Sequence, residues 1–231
     1  MAFRNKAKAI LAQKPDIVVV PECECPDQLY FDAQIKKPKQ IIWFGTNRHK
    51  GLGVFSYSDY RLRLLDCHNP ELKTILPLEV TNGSISFHLF AIWANHPADK
   101  PFQYVGQVWK ALSLYNQILS ENNSLLAGDF NSNSIWDKPR RTFNHTHIVK
   151  QLHDLDIHSC YHKHFNQEQG KEKHPTQYMY RHRDKSYHLD YCFASKYFSD
   201  RLHSVKIGSY RSWIKYSDHV PVIVDFKLGG L

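Results

Sequence analysis

Four times along this chain an apolar run ends in acid, amide or imidazole: Asp16-Ile17-Val18-Val19-Val20-Pro21-Glu22, Ser124-Leu125-Leu126-Ala127-Gly128-Asp129-Phe130-Asn131, His188-Leu189-Asp190-Tyr191 and Tyr216-Ser217-Asp218-His219-Val220-Pro221. Short apolar runs of this kind read as buried strands, so each would deliver a polar side chain to a sheet edge. In the second run Gly128 allows a tight turn. Asp129 and Asn131 then project the same way from an extended chain while Phe130 turns into the core. Carboxylate oxygens suit a hard divalent cation, which takes one or two acids and keeps several waters. An imidazole beside a carboxylate is fixed in one tautomer and shifted toward its protonated form, which suits it to move a proton.

The elements that must hold these residues follow from hydrophobic spacing. Phe3, Ala7, Ile10 and Leu11 share one helical face, so a helix is expected from Phe3 to Ala12, ahead of the central strand Ile17 to Val20. Ile41 to Phe44, Leu52 to Phe55, Leu76 to Val80 and Ile85 to Trp93 read as strands separated by turn signals such as Asn82-Gly83. Phe102, Val105, Val108, Trp109, Leu112, Tyr115, Ile118 and Leu119 form the stripe of an amphipathic helix reaching Asn122. A further helix is expected over His145 to Leu155. Strands at Tyr187 to Ala194, Val205 to Tyr210 and Val220 to Phe226 complete the chain, and the stretch from His158 to Lys185 is polar throughout.

The order Pro15–Glu22, Gly128–Asn131 ("GDFN"), Leu189–Tyr191 ("LDY") and Ser217–Pro221 ("SDHVP") resembles the endonuclease/exonuclease/phosphatase superfamily, over almost the whole chain. "GDFN" and "SDHVP" together are a specific signal. The resemblance implies a DNase I-like α/β (α+β) fold: a four-layer α/β/β/α sandwich of two packed, mostly antiparallel sheets in a single domain over residues 1–231. It also implies a first strand ending in asparagine ahead of the opening helix. Here Met1 stands where that strand should already have finished and Asn5 is no convincing substitute, so the expectation is either an N-terminally shortened domain or a true start upstream of Met1.

By the same resemblance the chain is a Mg²⁺- (or Mn²⁺-) dependent phosphodiester hydrolase, an endo- or exonuclease. Glu22, Asp218 and Asp129 would hold the metal. Asp129 would orient the attacking water, Asn131 would hold the phosphate, and Asp190 would orient His219. His219 would act on the proton or the phosphate, and His96, at the end of the strand through Trp93, would contact the phosphate. Glu24 is expected to face solvent. Arg140, Arg141, Arg181, Arg183 and Lys185 are candidates for a phosphate-tracking rim, and the pairs His145/His147 and His162/His164 for a solvated, weakly basic face.

Bulk properties agree with a polyanionic substrate. Lys and Arg total 30 against 22 acids, a formal charge of +8 over 231 residues, and cation–phosphate contacts drive such binding. The five cysteines and the absence of a leader pattern point to a reducing cytoplasm, and no apolar stretch is long enough to span a membrane. No obligate protein partner is indicated. Two rivals keep the same motifs: a phosphatase or phosphodiesterase for a small phosphoester, and a catalytically impaired nucleic-acid-binding relative.

Overall fold

The computed structural model describes residues 3–32, 35–95 and 102–228. These fall into two compact units, one up to Trp93 and one from Ala94 onward.

In the first unit α1 (Ala7–Leu11) leads into β1 (Ile17–Cys23), which pairs antiparallel with β3 (Lys50–Ser56), itself flanked by β2 (Gln40–Asn47). A second antiparallel sheet runs β4 (Arg61–Leu64), β5 (Ile75–Thr81), β6 (Ser86–Trp93) in chain order. β1 and β3 pack on β6; β3 carries the near-continuous burial that strands covered on both faces show, whereas β1 is half-buried apart from Val20 and Cys23. Phe3 and Ala7 close one side of this core against Val20 and Phe55, with the Phe3 and Phe55 rings 4.7 Å apart.

The expected helix from Phe3 is a 3-10 turn at Phe3–Asn5 followed by the short α1. Glu24 explains the start. It does not face solvent but is 1% exposed, and its carboxylate accepts the backbone N–H of Phe3 and, at 3.1 Å, that of Arg4 together with the Arg4 guanidinium. N–H groups at a helix start have no acceptor within the helix, and a buried carboxylate needs donors; each satisfies the other.

The second unit opens with α2 (Val105–Leu114) and α3 (Asn116–Glu121) in place of one continuous helix. The break falls at Tyr115, whose backbone leaves helical geometry at φ −99, ψ 14 while its ring is buried. β7 (Ser124–Asp129) follows, then α4 (His145–Asp154), β8 (Ile157–Ser159), α5 (Cys160–Phe165), the two-residue strands β9 (Gln177–Tyr178) and β10 (Ser186–Tyr187), β11 (Asp190–Ser195), α6 (Lys196–Ser199), β12 (Leu202–Ile207), α7 (Tyr210–Trp213) and β13 (Val222–Phe226). β11 lies between β7 and β8, antiparallel to both; β12 pairs with β13, and β9 with β10. α4 and α2 pack together and α5 lies on β11. The polar stretch 158–185 therefore holds a helix and a hairpin. The strand expected from Tyr187 to Ala194 is interrupted at His188-Leu189. No helix among the described residues is long and apolar enough to cross a membrane.

Candidate active site

β7 delivers the first carboxylate. Gly128, the last residue but one of the strand, has φ 139, a backbone that side chains other than glycine's rarely adopt. Asp129 follows, and Phe130 is fully buried against Tyr191 and Phe193, with ring centroids 5.5 and 5.3 Å away. That anchor leaves Asp129 and Asn131 on the opposite side. Asn131, at φ 46, donates its backbone N–H to Asp129 Oδ1 (2.9 Å) and its amide nitrogen to Asp129 Oδ2 (2.8 Å) and to the Ala94 carbonyl (2.8 Å). The amide N–H groups of Asn131 are thus spent on Asp129 and on the Ala94 carbonyl. To grip a phosphate it would have to exchange one of them.

β11 brings the second carboxylate. Asp190 is the cross-strand partner of Asp129 in the β7–β11 ladder, so the two side chains emerge on the same face. The third group comes from the chain end, where Ser217 Oγ accepts the His219 N–H at 3.1 Å and locks the turn that presents the imidazole. His219 Nδ1 meets Asp190 Oδ2 at 2.9 Å. Donor atoms of Asp129, Asp190 and His219 all lie within 4.8 Å of one another.

Electrostatics follow from that crowding. Burial by itself would depress the His219 pKa, but the carboxylates of Asp190, Asp129 and Asp218, together with the bond to Asp190, outweigh it and lift the value to about 9. The imidazole is therefore a cation at neutral pH, with Nδ1 donating to Asp190. Its side chain keeps 29% exposure, so solvent and substrate can reach it. Three carboxylates surround this single cation. Two acids that share one edge supply the oxygen donors a hard divalent ion takes, with water completing its shell, so the donor set could hold such a cation. A cationic imidazole is the poorest ligand of the set.

The remaining expected site residues are placed differently. Asp218 acts on His219 through its charge, and its carbonyl accepts the Tyr178 N–H at 2.7 Å. Glu22 belongs to the first unit. Pro21 cannot donate to the ladder there, the β1–β3 register shifts between Val20 and Cys23, and Glu22 takes φ 55. Its carboxylate lies 3.1 Å from Lys50 Nζ and is held below the usual carboxylate range: burial raises it, and nearby positive charge, Lys50 included, lowers it further. His96 lies outside the described residues.

Two of the histidines expected on a solvated face are inward. His145 is 1% exposed, bonded to Ser132 Oγ at 2.9 Å and Gln169 at 3.3 Å, and burial pulls its pKa down to about 4. His162 meets Ser159 Oγ (2.7 Å) and Glu172 (3.0 Å). Burial would raise the Glu172 carboxyl, but hydrogen bonds from His162, the Gly170 N–H and Asn133 hold it near its lower limit, about 2. His147 and His164 are exposed as expected. A cleft of about 400 Å³ lined by Val149, Ile157, His162, Lys163 and Phe193 holds none of the acids or the imidazole described above.

Two supporting residues had no motif to reveal them. Asn133, 2% exposed, donates to the His188 carbonyl (3.0 Å), Tyr191 Oη (3.1 Å) and Glu172 (3.1 Å), tying the loop after β7 to the start of β11. The hydroxyl of Thr176 accepts the N–H groups of both Leu189 and Asp190. The only sequence signal for either was a polar residue within a few positions of a strand end.

No protein-family model matches the chain, and no curated protein does. Solved structures do. An AP endonuclease from Archaeoglobus fulgidus superposes with a TM-score of 0.70 at 17% identity, covering 98% of this chain and 96% of its own. A 3′-5′ exonuclease from Neisseria meningitidis gives 0.66 at 18% identity over 97% and 96%. An endonuclease/exonuclease/phosphatase family protein from Leptotrichia buccalis gives 0.61 at 14% identity over 97% and 92%. The chain has the DNase I-like α/β fold that these structures share.

Proposed function

We propose that this protein is a divalent-metal-dependent phosphodiester hydrolase acting on a polynucleotide. The observation that carries the proposal is the Asp190–His219 bond of 2.9 Å within reach of Asp129. Asp190 holds Nδ1, which turns Nε2 toward the substrate as a proton donor for a phosphate or leaving-group oxygen. With its pKa raised to about 9, His219 has a proton to give at neutral pH rather than a lone pair with which to accept one. Water activation therefore falls to Asp129, whose two oxygens Asn131 holds in a fixed direction.

Asp129 is the first choice for a metal ligand, with Asp190 beside it; Asp218 and Glu22 are added on their motifs alone. Mg²⁺ or Mn²⁺ bound there supplies charge neutralisation at the phosphate. Support for a polynucleotide comes from the net charge of +8 and from the solved relatives, which include an AP endonuclease and a 3′-5′ exonuclease.

Incubation with plasmid, abasic duplex and single-stranded DNA, in Mg²⁺ and then in EDTA, tests the reading. Cleavage that requires Mg²⁺ and is lost in Asp129→Ala is expected; turnover indifferent to EDTA or to that substitution overturns it. Glu22→Gln tests the first-unit acid separately: as a ligand, its loss raises the Mg²⁺ concentration giving half-maximal activity. Steep loss of binding with salt marks a polynucleotide, and weak dependence a small phosphoester.

A further inference from the structure

Thr176 belongs to none of the four motifs, yet it lies between the two segments that carry the Asp190–His219 pair. It is fully buried. Its backbone is used on both sides: the N–H donates to the Tyr187 carbonyl at 2.8 Å, and the carbonyl accepts the Val220 N–H at 2.8 Å. Its hydroxyl oxygen accepts the N–H of Leu189 at 2.9 Å and that of Asp190 at 3.0 Å. The chain then runs on alongside the imidazole, Gln177 bridging to His219 and Tyr178 donating to the Asp218 carbonyl at 2.7 Å.

This arrangement answers a need of the fold. The strand breaks at His188-Leu189, and β11 pairs with β7 only from Asp190 on, so the Leu189 and Asp190 N–H groups require another acceptor inside the protein. One side-chain oxygen takes both. A threonine is suited to that task because its branched Cβ restricts χ1, so the oxygen is held in place rather than sampled. The residue that fixes the backbone of Asp190 is thus hydrogen-bonded through its own backbone to the residue after His219.

We infer that Thr176 is a positioning residue for the proposed hydrolysis, setting the carboxylate of Asp190 against the imidazole of His219. This rests on the hydrolase reading above. Thr176 acts through its hydrogen bonds to the backbones on either side of the pair. A shift of one ångström between such groups costs about a hundredfold in rate.

Two variants separate the hydroxyl from the shape. Thr176→Val keeps the branched side chain and removes the acceptor; Thr176→Ser keeps the acceptor. On a DNA substrate in Mg²⁺, Thr176→Val is expected to lower kcat about 10- to 100-fold with KM within about twofold of wild type, and Thr176→Ser to restore most of kcat. In parallel, the hydrogen-bonded His219 Nδ1 proton of the metal-free protein is read by ¹⁵N-edited NMR. It should be present in wild type and Thr176→Ser and broadened away in Thr176→Val. Wild-type kcat together with a retained Nδ1 signal in Thr176→Val overturns the inference, and so does a Thr176→Ser protein as impaired as Thr176→Val. Should wild type itself hydrolyse nothing, the hydrolase reading fails, while the imidazole signal in the three proteins still decides whether Thr176 positions the pair.

Discussion

Lys150, Lys163, Lys171 and Lys196, on and around the helices of the second unit, each lie against a carboxylate: Asp154 at 2.6 Å, Asp200 at 3.5 Å, Glu168 at 2.7 Å and Asp200 at 2.9 Å. Arg140, Arg183, Lys185 and Arg211 make no ion pair among the described residues. In the chain these four lie on the loop after Asn131, on the β9–β10 turn ahead of Asp190 and on α7 ahead of His219. The β9–β10 turn is tied to α7 by Tyr210, whose hydroxyl donates to the Arg181 carbonyl at 2.8 Å. The same contrast holds for acids and histidines. Glu172, His162 and His145 have their polar atoms matched inside the fold, whereas three carboxylates crowd one imidazole at the β7–β11 edge. Charges matched within the protein hold it together; charges left over are the ones available to an ion or a phosphate.

Changes on the unmatched side should therefore alter turnover and spare stability, and changes on the matched side should do the reverse. The largest effect is expected for Asp129→Ala, about a thousandfold in kcat on DNA in Mg²⁺, with the urea midpoint no lower than that of wild type. A collapse of stability instead would show that this acid is structural.

Next comes the triple variant Arg140→Ala/Arg183→Ala/Arg211→Ala. The slope of log(kcat/KM) against log[salt] should shrink by about 0.9 for each phosphate that the variant no longer neutralises, while Lys150→Ala/Lys196→Ala leaves it unchanged. Equal slopes in both sets would erase the contrast between the two regions.

On the matched side, acid stability is the readout. His145 has its folded pKa depressed to about 4 against an ordinary value of about 6.5. The unfolded chain takes up a proton that the folded protein refuses, so stability is intact above the ordinary pKa and is lost as pH falls from there toward 4. Between pH 7 and 5 this group alone accounts for about 2 kcal/mol. Burial depresses His188 in the same direction and adds to the loss, while His219, raised to about 9, gains stability on acidification and opposes it. Urea unfolding at the two pH values should show His145→Gln losing less on acidification than wild type. A parallel loss in both proteins would mean that His145 is not the group titrating. The smallest effect is expected for Lys150→Ala, an exposed helical ion pair whose removal should leave both the urea midpoint and kcat within error.

The sequence carried the outline of this arrangement unevenly. Asp129, Asp190 and His219 could be picked out because each lies at the edge of an apolar run, a local pattern; Asp129 ends β7, whereas Asp190 opens β11 and His219 lies ahead of β13. Phe130 could be placed inward because alternation along an extended chain is fixed by geometry. Glu24 could not be placed. Alternation and charge put it in water, and only the folded position of the Phe3 and Arg4 N–H groups shows why a carboxylate is buried there. His145 and His162 misled for the same reason, since a helix rich in histidine and lysine reads as solvated until Ser132, Gln169 and Glu172 arrive from other segments. Thr176 acts through backbone groups, and Asn133 through the His188 carbonyl and the Tyr191 and Glu172 side chains, all far along the chain, which no spacing rule reports. The break in the helix at Tyr115 and the split strand at His188-Leu189 are likewise set by what packs and bonds around them, not by propensity.

The central claim is that Asp190 and His219 work as one unit in phosphodiester hydrolysis. A double-mutant cycle in kcat on a DNA substrate with Mg²⁺, using Asp190→Asn, His219→Gln and the pair together, tests it most directly. If they act as a unit, either single variant loses about 10²- to 10⁴-fold and the double loses scarcely more. Losses that multiply in the double variant, or single variants as active as wild type, would contradict it.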